Sequence, residues 1–123
     1  MNAEKFFTAY VTAALWSSTD DTGQPLDDKH DATDIAPATL AKMRVDCDAF
    51  LAQHGALLAN ATDDELAGHD FWLSRNGHGA GFFDGGASEY GENYKSVCAA
   101  LQKAAQKFGT RDLYVGDDGK IYA

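Results

Sequence analysis

The sequence predicts an α+β domain: two to three helices packed on an antiparallel sheet of about four strands built from two β-hairpins. Three observations predict it. Apolar side chains recur at helical spacing near the N-terminus, between Pro37 and His54, and between Tyr90 and Phe108. Two aromatic runs, Phe71-Trp72-Leu73 and Phe82-Phe83, flank Asn76-Gly77-His78-Gly79, and such residues suit a tight turn between extended arms. The last residues repeat the arrangement, with Leu113-Tyr114-Val115 and Ile121-Tyr122 on either side of Asp117-Asp118-Gly119. A lone hairpin is marginal in water, so the two must join into one sheet or lie against helices.

Each element has a local reason. Residues 3–16 form a helix capped by Asn2, with Phe6, Phe7, Tyr10, Val11, Ala14 and Leu15 as its apolar stripe and Ser17-Ser18 as its stop. The segment from Ser17 to Asp34 has no periodicity. It holds Asp20, Asp21, Asp27, Asp28, Asp31 and Asp34 against a single Lys29, with Gly23 and Pro25 as breakers, and reads as an exposed acidic loop. Pro37 suits the first turn of a second helix, along which Leu40, Met43, Cys47, Phe50, Leu51 and His54 keep helical spacing up to Gly55.

Thr62-Asp63-Asp64-Glu65 has the form of a capping box for a brief third helix that Gly68 ends. The first hairpin follows. With Asn76 to Gly79 as its loop, Leu73 faces Phe82 and Trp72 faces Phe83; a two-residue Asn76-Gly77 turn shifts the pairing but leaves Phe71, Leu73, Ala80 and Phe82 on one face. After Gly85-Gly86, the residues Tyr90, Tyr94, Val97, Cys98, Leu101, Ala104, Ala105 and Phe108 make the cleanest helical stripe, closed by Gly109. In the second hairpin Tyr114 pairs with Tyr122, and Gly119 takes the left-handed position.

A chain of 123 residues fits a single domain spanning residues 1–123, with no repeat and no linker. No apolar run approaches the roughly 20 residues of a membrane helix, and the first residues lack the pattern of a signal peptide. Cys47 and Cys98 are too few for a disulfide framework and read as reduced, buried residues of a cytoplasmic protein. The formal charge of −9 disfavours direct binding to nucleic acid or an anionic membrane, because phosphate contacts need Lys and Arg to displace counterions. A basic protein surface is the partner such a field attracts; plain solubility is its other consequence.

Three stretches carry a resemblance. The run from Gly68 to Asp84 (GHDFWLSRNGHGAGFFD), the opening from Tyr10 to Ser18, and the ending from Asp112 to Tyr122 (DLYVGDDGKIY) resemble a family of small proteins encoded by bacteriophages and prophages. The resemblance implies a mobile-element origin and a bacterial cytoplasm. It carries over no catalytic residue.

The candidate sites are few. His69, Asp70 and Asp84, at the open end of the first hairpin, make a weak metal or acid–base cluster; the alternative is a capped corner with solvated carboxylates. Arg75 to Gly79 suit an anion nest with Arg75 as counter-charge, although turn chemistry alone accounts for the glycines. The acidic loop lacks the calcium-loop spacing but, with Asp46, Asp48, Asp63, Asp64 and Glu65, suits imitation of a phosphate array. Trp72, Tyr114 and Tyr122 make an aromatic patch on the outer sheet face. No serine lies in a nucleophile elbow, and no motif calls for a cofactor.

The leading reading is therefore a non-enzymatic phage protein. It binds a host or defence protein through Asp20, Asp21, Asp27, Asp28, Asp31, Asp34, Trp72, Arg75 and His78, as an inhibitor that mimics nucleic-acid charge. A small-molecule or metal-binding protein using His69, Asp70, Arg75 and Asp84 is the alternative, and a homodimeric accessory protein without ligand is the third.

Overall fold

The computed structural model describes residues 1–123. Helix α1 spans Ala3–Ser17 and starts at Asn2, whose side-chain oxygen accepts the Lys5 N–H at 3.1 Å. The acidic segment that follows contains two single 3-10 turns, Leu26–Asp28 and Ala32–Asp34. Helix α2 runs from Pro37 to Leu58 and kinks at His54, where φ is −126° and ψ is 20°. Gly55 therefore does not stop it.

Helix α3 spans Asp64–Asn76, and a 3-10 turn over Phe82–Asp84 leads to the single-turn α4, Ala87–Tyr90. Helix α5 covers Tyr94–Gln106. Gly91, with φ of +84°, separates these last two helices within what reads as one stripe. The chain ends in strands β1, Tyr114–Val115, and β2, Ile121–Tyr122, paired antiparallel with Tyr114 opposite Tyr122 and Val115 opposite Ile121. Strand β2 also meets the start of α2: the Ala36 N–H donates to the Ile121 carbonyl at 2.9 Å.

The fold class expected from the sequence is thus overturned. Five helices dominate, and the only sheet has two strands; the α+β arrangement of about four strands does not form. The error lies in residues 69–84, where the expected first hairpin is the continuation of the third helix past Gly68 and its return loop. Residues Ala67, Gly68 and Asp70 through Arg75 are all buried, because α3 sits centrally and meets α1, α5 and the Phe50 side of α2. A helix covered on most of its circumference loses the one-sided pattern that identifies it, and an aromatic run inside it reads as a strand.

The turn chemistry of Asn76-Gly77 is equally ambiguous. Gly77 takes φ of +66° as the left-handed end of α3; its N–H reaches the Ser74 carbonyl at 3.4 Å, and the His78 N–H reaches the Leu73 carbonyl at 3.2 Å. This pair of bonds is the Schellman stop of a helix, which needs the same positive φ as a hairpin turn. The loop then brings Phe82 back beside α3, its N–H donating to the Ser74 hydroxyl at 2.9 Å. Phe71, Leu73 and Phe82 are buried together, as the alternation suggests, but against helices. Phe83 points outward. The N-cap of α3 also moves by one residue: Asp63, not Thr62, accepts from the Glu65 N–H at 2.8 Å.

Stacked aromatics form the centre of the core. The Phe50 and Phe71 rings lie parallel with centroids 4.1 Å apart, and Phe6, Tyr10, Phe82 and Phe108 pack around them at 5.2–6.3 Å. Helices α1 and α3 share the most extensive interface, with Gly68 of α3 against the Phe6 carbonyl of α1.

Candidate functional site

Arg75 stands at the last turn of α3 and is 4% exposed. A guanidinium can be buried only if its donors are met. Here Nε donates to the Gly109 carbonyl at 2.9 Å, Nη2 to the Phe108 carbonyl at 3.0 Å, and Nη1 to Asp46 at 2.7 Å and to the Tyr10 hydroxyl at 3.1 Å. The guanidinium also sits 5.7 Å from the centroids of both Phe71 and Phe108. Arg111 approaches the same Asp46 oxygen at 2.9 Å, and its backbone N–H donates to the Asn76 side chain at 2.8 Å.

Arg75 thus binds carbonyls at the end of α5, which complements the negative end of that helix. It is a structural cation, and the expected anion nest around it is replaced by the helix stop. Asp46, expected on the outer arc of α2, is drawn inward by the two arginines and leaves the acidic surface.

The expected His69, Asp70 and Asp84 cluster is not assembled. Successive residues of a helix point about 100° apart, so His69 and Asp70 diverge. His69 lies beside Trp16, ring centroids 5.9 Å apart, and burial holds its imidazole below the ordinary value. Asp84 closes its own 3-10 turn by accepting the Gly81 N–H at 3.1 Å. No group of three His, Cys, Asp or Glu side chains is arranged to hold an ion. Trp72, expected on an outer face with Tyr114 and Tyr122, is buried and donates its indole N–H to Ser17 at 2.8 Å. His78 is exposed at the rim of a small polar pocket with Ser17, Ser18 and Asp112. Tyr114 and Tyr122 stack on the outside of the two-stranded ribbon, 5.9 Å apart.

Asp70 is buried and accepts the Tyr90 hydroxyl at 2.5 Å. Burial pushes its carboxyl up to about 6, against the lowering effect of that hydrogen bond, and the nearby carboxylates of Asp84 and Glu89 push the same way. The folded state thus favours the protonated acid. Its contribution to stability is complete below the unfolded value of 3.8 and is lost as pH rises through about 6. Replacing Asp70 with Asn removes this titration. Between about pH 4 and pH 7.5, the stability of Asp70→Asn relative to the unmodified protein is expected to rise by about 2–3 kcal/mol. Urea denaturation of both proteins at the two pH values checks this; a difference independent of pH contradicts it.

Both thiols are buried, and burial pushes both above the ordinary thiol value, so neither Cys47 nor Cys98 is an activated nucleophile. One concave surface with charge beside it is formed by the acidic segment. Leu26 and Ile35 are buried and tie residues 26–35 to the core. Asp20 accepts from the Thr22 hydroxyl at 2.6 Å, the Gln24 N–H at 3.1 Å and the Thr22 N–H at 2.8 Å. Asp31 accepts from the Thr33 hydroxyl and from the Thr33 N–H, the latter at 2.9 Å. The hydroxyl bonds first, and the backbone bonds with them, hold both carboxyls below their ordinary value. Asp34 accepts from the Asp31 N–H and from His30.

These three aspartates therefore shape the loop, while Asp21, Asp27 and Asp28 are exposed. Between this segment and α1 lies a groove of about 310 Å³, with Phe7, Val11, Leu15 and Leu40 at its apolar floor and Asp27, His30 and Asp31 at its rim. Nothing local in the sequence signals the groove, since its floor and rim come from three separate elements. No helix is long and apolar enough to cross a membrane. No protein-family model, curated protein or solved structure matches this chain.

Proposed function

We propose that the chain is a binding protein of bacteriophage or prophage origin that docks on a basic protein surface in the bacterial cytoplasm. The observation that carries this reading is the folded acidic segment. A solubilising run of aspartates needs no anchor, whereas this one is pinned by Leu26 and Ile35 and spends three carboxylates on its own turns. The result is a fixed acidic segment with Asp27 on the rim of an apolar groove and Asp21 and Asp28 exposed to water in the same segment. A partner segment with an apolar side chain flanked by Lys or Arg fits both parts: the side chain buries area against Val11 and Leu15, and the cations meet the rim.

Competition with nucleic acid for such a basic partner follows from the same charges, which makes inhibition by charge mimicry the natural mode of action. The reading drops Arg75 and Trp72 from the binding surface, because both are buried.

The test is capture of partners from a bacterial lysate on immobilised protein, followed by affinity measurements on the captured protein. Replacing Asp21, Asp27 and Asp28 together by Asn is expected to weaken binding about tenfold or more, at a fold stability changed by less than about 1 kcal/mol. Raising salt from about 50 mM to about 500 mM is expected to weaken it similarly. Binding that ignores both changes sinks the proposal.

A further inference from the structure

The 3-10 turn over Phe82–Asp84 and helix α5 enclose a second cleft, which shares no lining residue with the acidic groove. Its volume is about 480 Å³. Phe83 forms one wall and is 52% exposed, one of the few large apolar side chains left in water. The Phe83 N–H donates to the Gln102 side chain at 3.3 Å, which ties the turn to α5. Across from it, Lys95, Ala99, Gln102 and Lys103 follow the three- and four-residue spacing of one helical face, with Tyr94 and the buried Cys98 completing the lining.

The lysines decide the chemistry. Neither takes part in any of the chain's four ion pairs. They stand two turns apart, about 12 Å along the axis, and their flexible stems let both ammonium groups approach one anion between them. The nearest acids in sequence, Asp84 and Glu92, do not line the cleft, and Asp84 is held by the Gly81 N–H of its own turn. Charges more than about 8 Å away are largely screened at physiological salt.

We propose that this cleft binds an amphipathic organic anion, an aromatic or aliphatic body carrying one carboxylate or sulfonate. The body covers Phe83 and Ala99, and the anion meets Lys95 and Lys103. A neutral apolar molecule gains only the first of these contacts, and a small inorganic anion only the second.

Anilinonaphthalene sulfonate and its uncharged counterpart N-phenylnaphthylamine separate the two contributions by fluorescence titration. The native protein is expected to bind the sulfonate saturably. The double variant Lys95→Met and Lys103→Met keeps the apolar stems but loses both charges. Its sulfonate affinity should fall about tenfold, while N-phenylnaphthylamine binds as before or more tightly. Phe83→Ser should weaken both dyes. Circular dichroism and the unfolding midpoint confirm that these exposed substitutions leave the fold intact, and dodecanoate or naphthoate should displace the dye. Absence of saturable sulfonate binding, equal sulfonate affinity in the lysine variant, or displacement by neither carboxylate overturns the proposal.

Discussion

Replacing Arg75 with Met is expected to lower the unfolding free energy by about 3–5 kcal/mol, a large share of the 5–15 kcal/mol typical of a domain. Methionine has similar length and fits the aromatic surroundings, so the loss is not one of volume. It comes from what the guanidinium leaves behind. The Phe108 and Gly109 carbonyls lose their donor at the end of α5, the Tyr10 hydroxyl loses its partner, and Asp46 keeps Arg111 alone.

Arg75→Lys tests the geometry apart from the charge. An ammonium is a point charge without the planar fork, and it cannot reach two carbonyls, a carboxylate and a phenol in their different directions. It is expected to recover less than half of the loss. Urea denaturation measures both variants; a Met variant within about 1 kcal/mol of the unmodified protein contradicts the assignment of Arg75 as the structural tie between α3, α2 and α5.

Gly68→Ala is expected to cost about 2 kcal/mol or more, although alanine is the better helix former. Inside a helix the exchange favours alanine by up to about 1 kcal/mol. At Gly68 the added methyl would fall 2.1 Å from the Phe6 carbonyl oxygen and 3.2 Å from the Ala9 Cβ. The first of these is backbone and cannot rotate away, so α1 and α3 must separate along their largest interface, at a cost of about 3 kcal/mol. The clash wins over propensity. Gly55→Ala is the control, since nothing lies within 4 Å of its added methyl. There the gain in propensity should appear alone, as a stabilisation of about 0.5–1 kcal/mol. Equal effects at the two glycines would mean that the closeness of α1 and α3 does not limit residue 68.

The candidate site was legible in part. The run of aspartates from Asp20 to Asp34 is plain in the sequence, and so is its contrast with the rest of the chain. That Asp20, Asp31 and Asp34 fold the loop while Asp21, Asp27 and Asp28 face water is a matter of hydrogen bonds to neighbours. Each of those carboxylates has a donor two or three residues away, and Thr22 and Thr33 are the hints. Arg75 offered no such hint. Its partners lie 29 to 65 residues distant, and an arginine after an aromatic run looks the same whether it ends a strand in water or a helix in the core.

By itself the sequence determined helices α1, α2 and α5, the pairing of Tyr114 with Tyr122, and the acidic character of residues 20–34. Those elements keep one side in water, so solvent writes a period of 3.6 or 2 into the chain, and caps such as Asn2 act within a turn. Only the tertiary structure decided residues 69–84. Buried nearly all round from Asp70 to Arg75, α3 carries an aromatic run that suits a strand as well as a helix, and Gly77 permits a helix stop as readily as a hairpin turn. Packing against α1 and α5 chose between them, because only the helix meets its own backbone hydrogen bonds there while placing Gly68 on Phe6 and Arg75 on the end of α5.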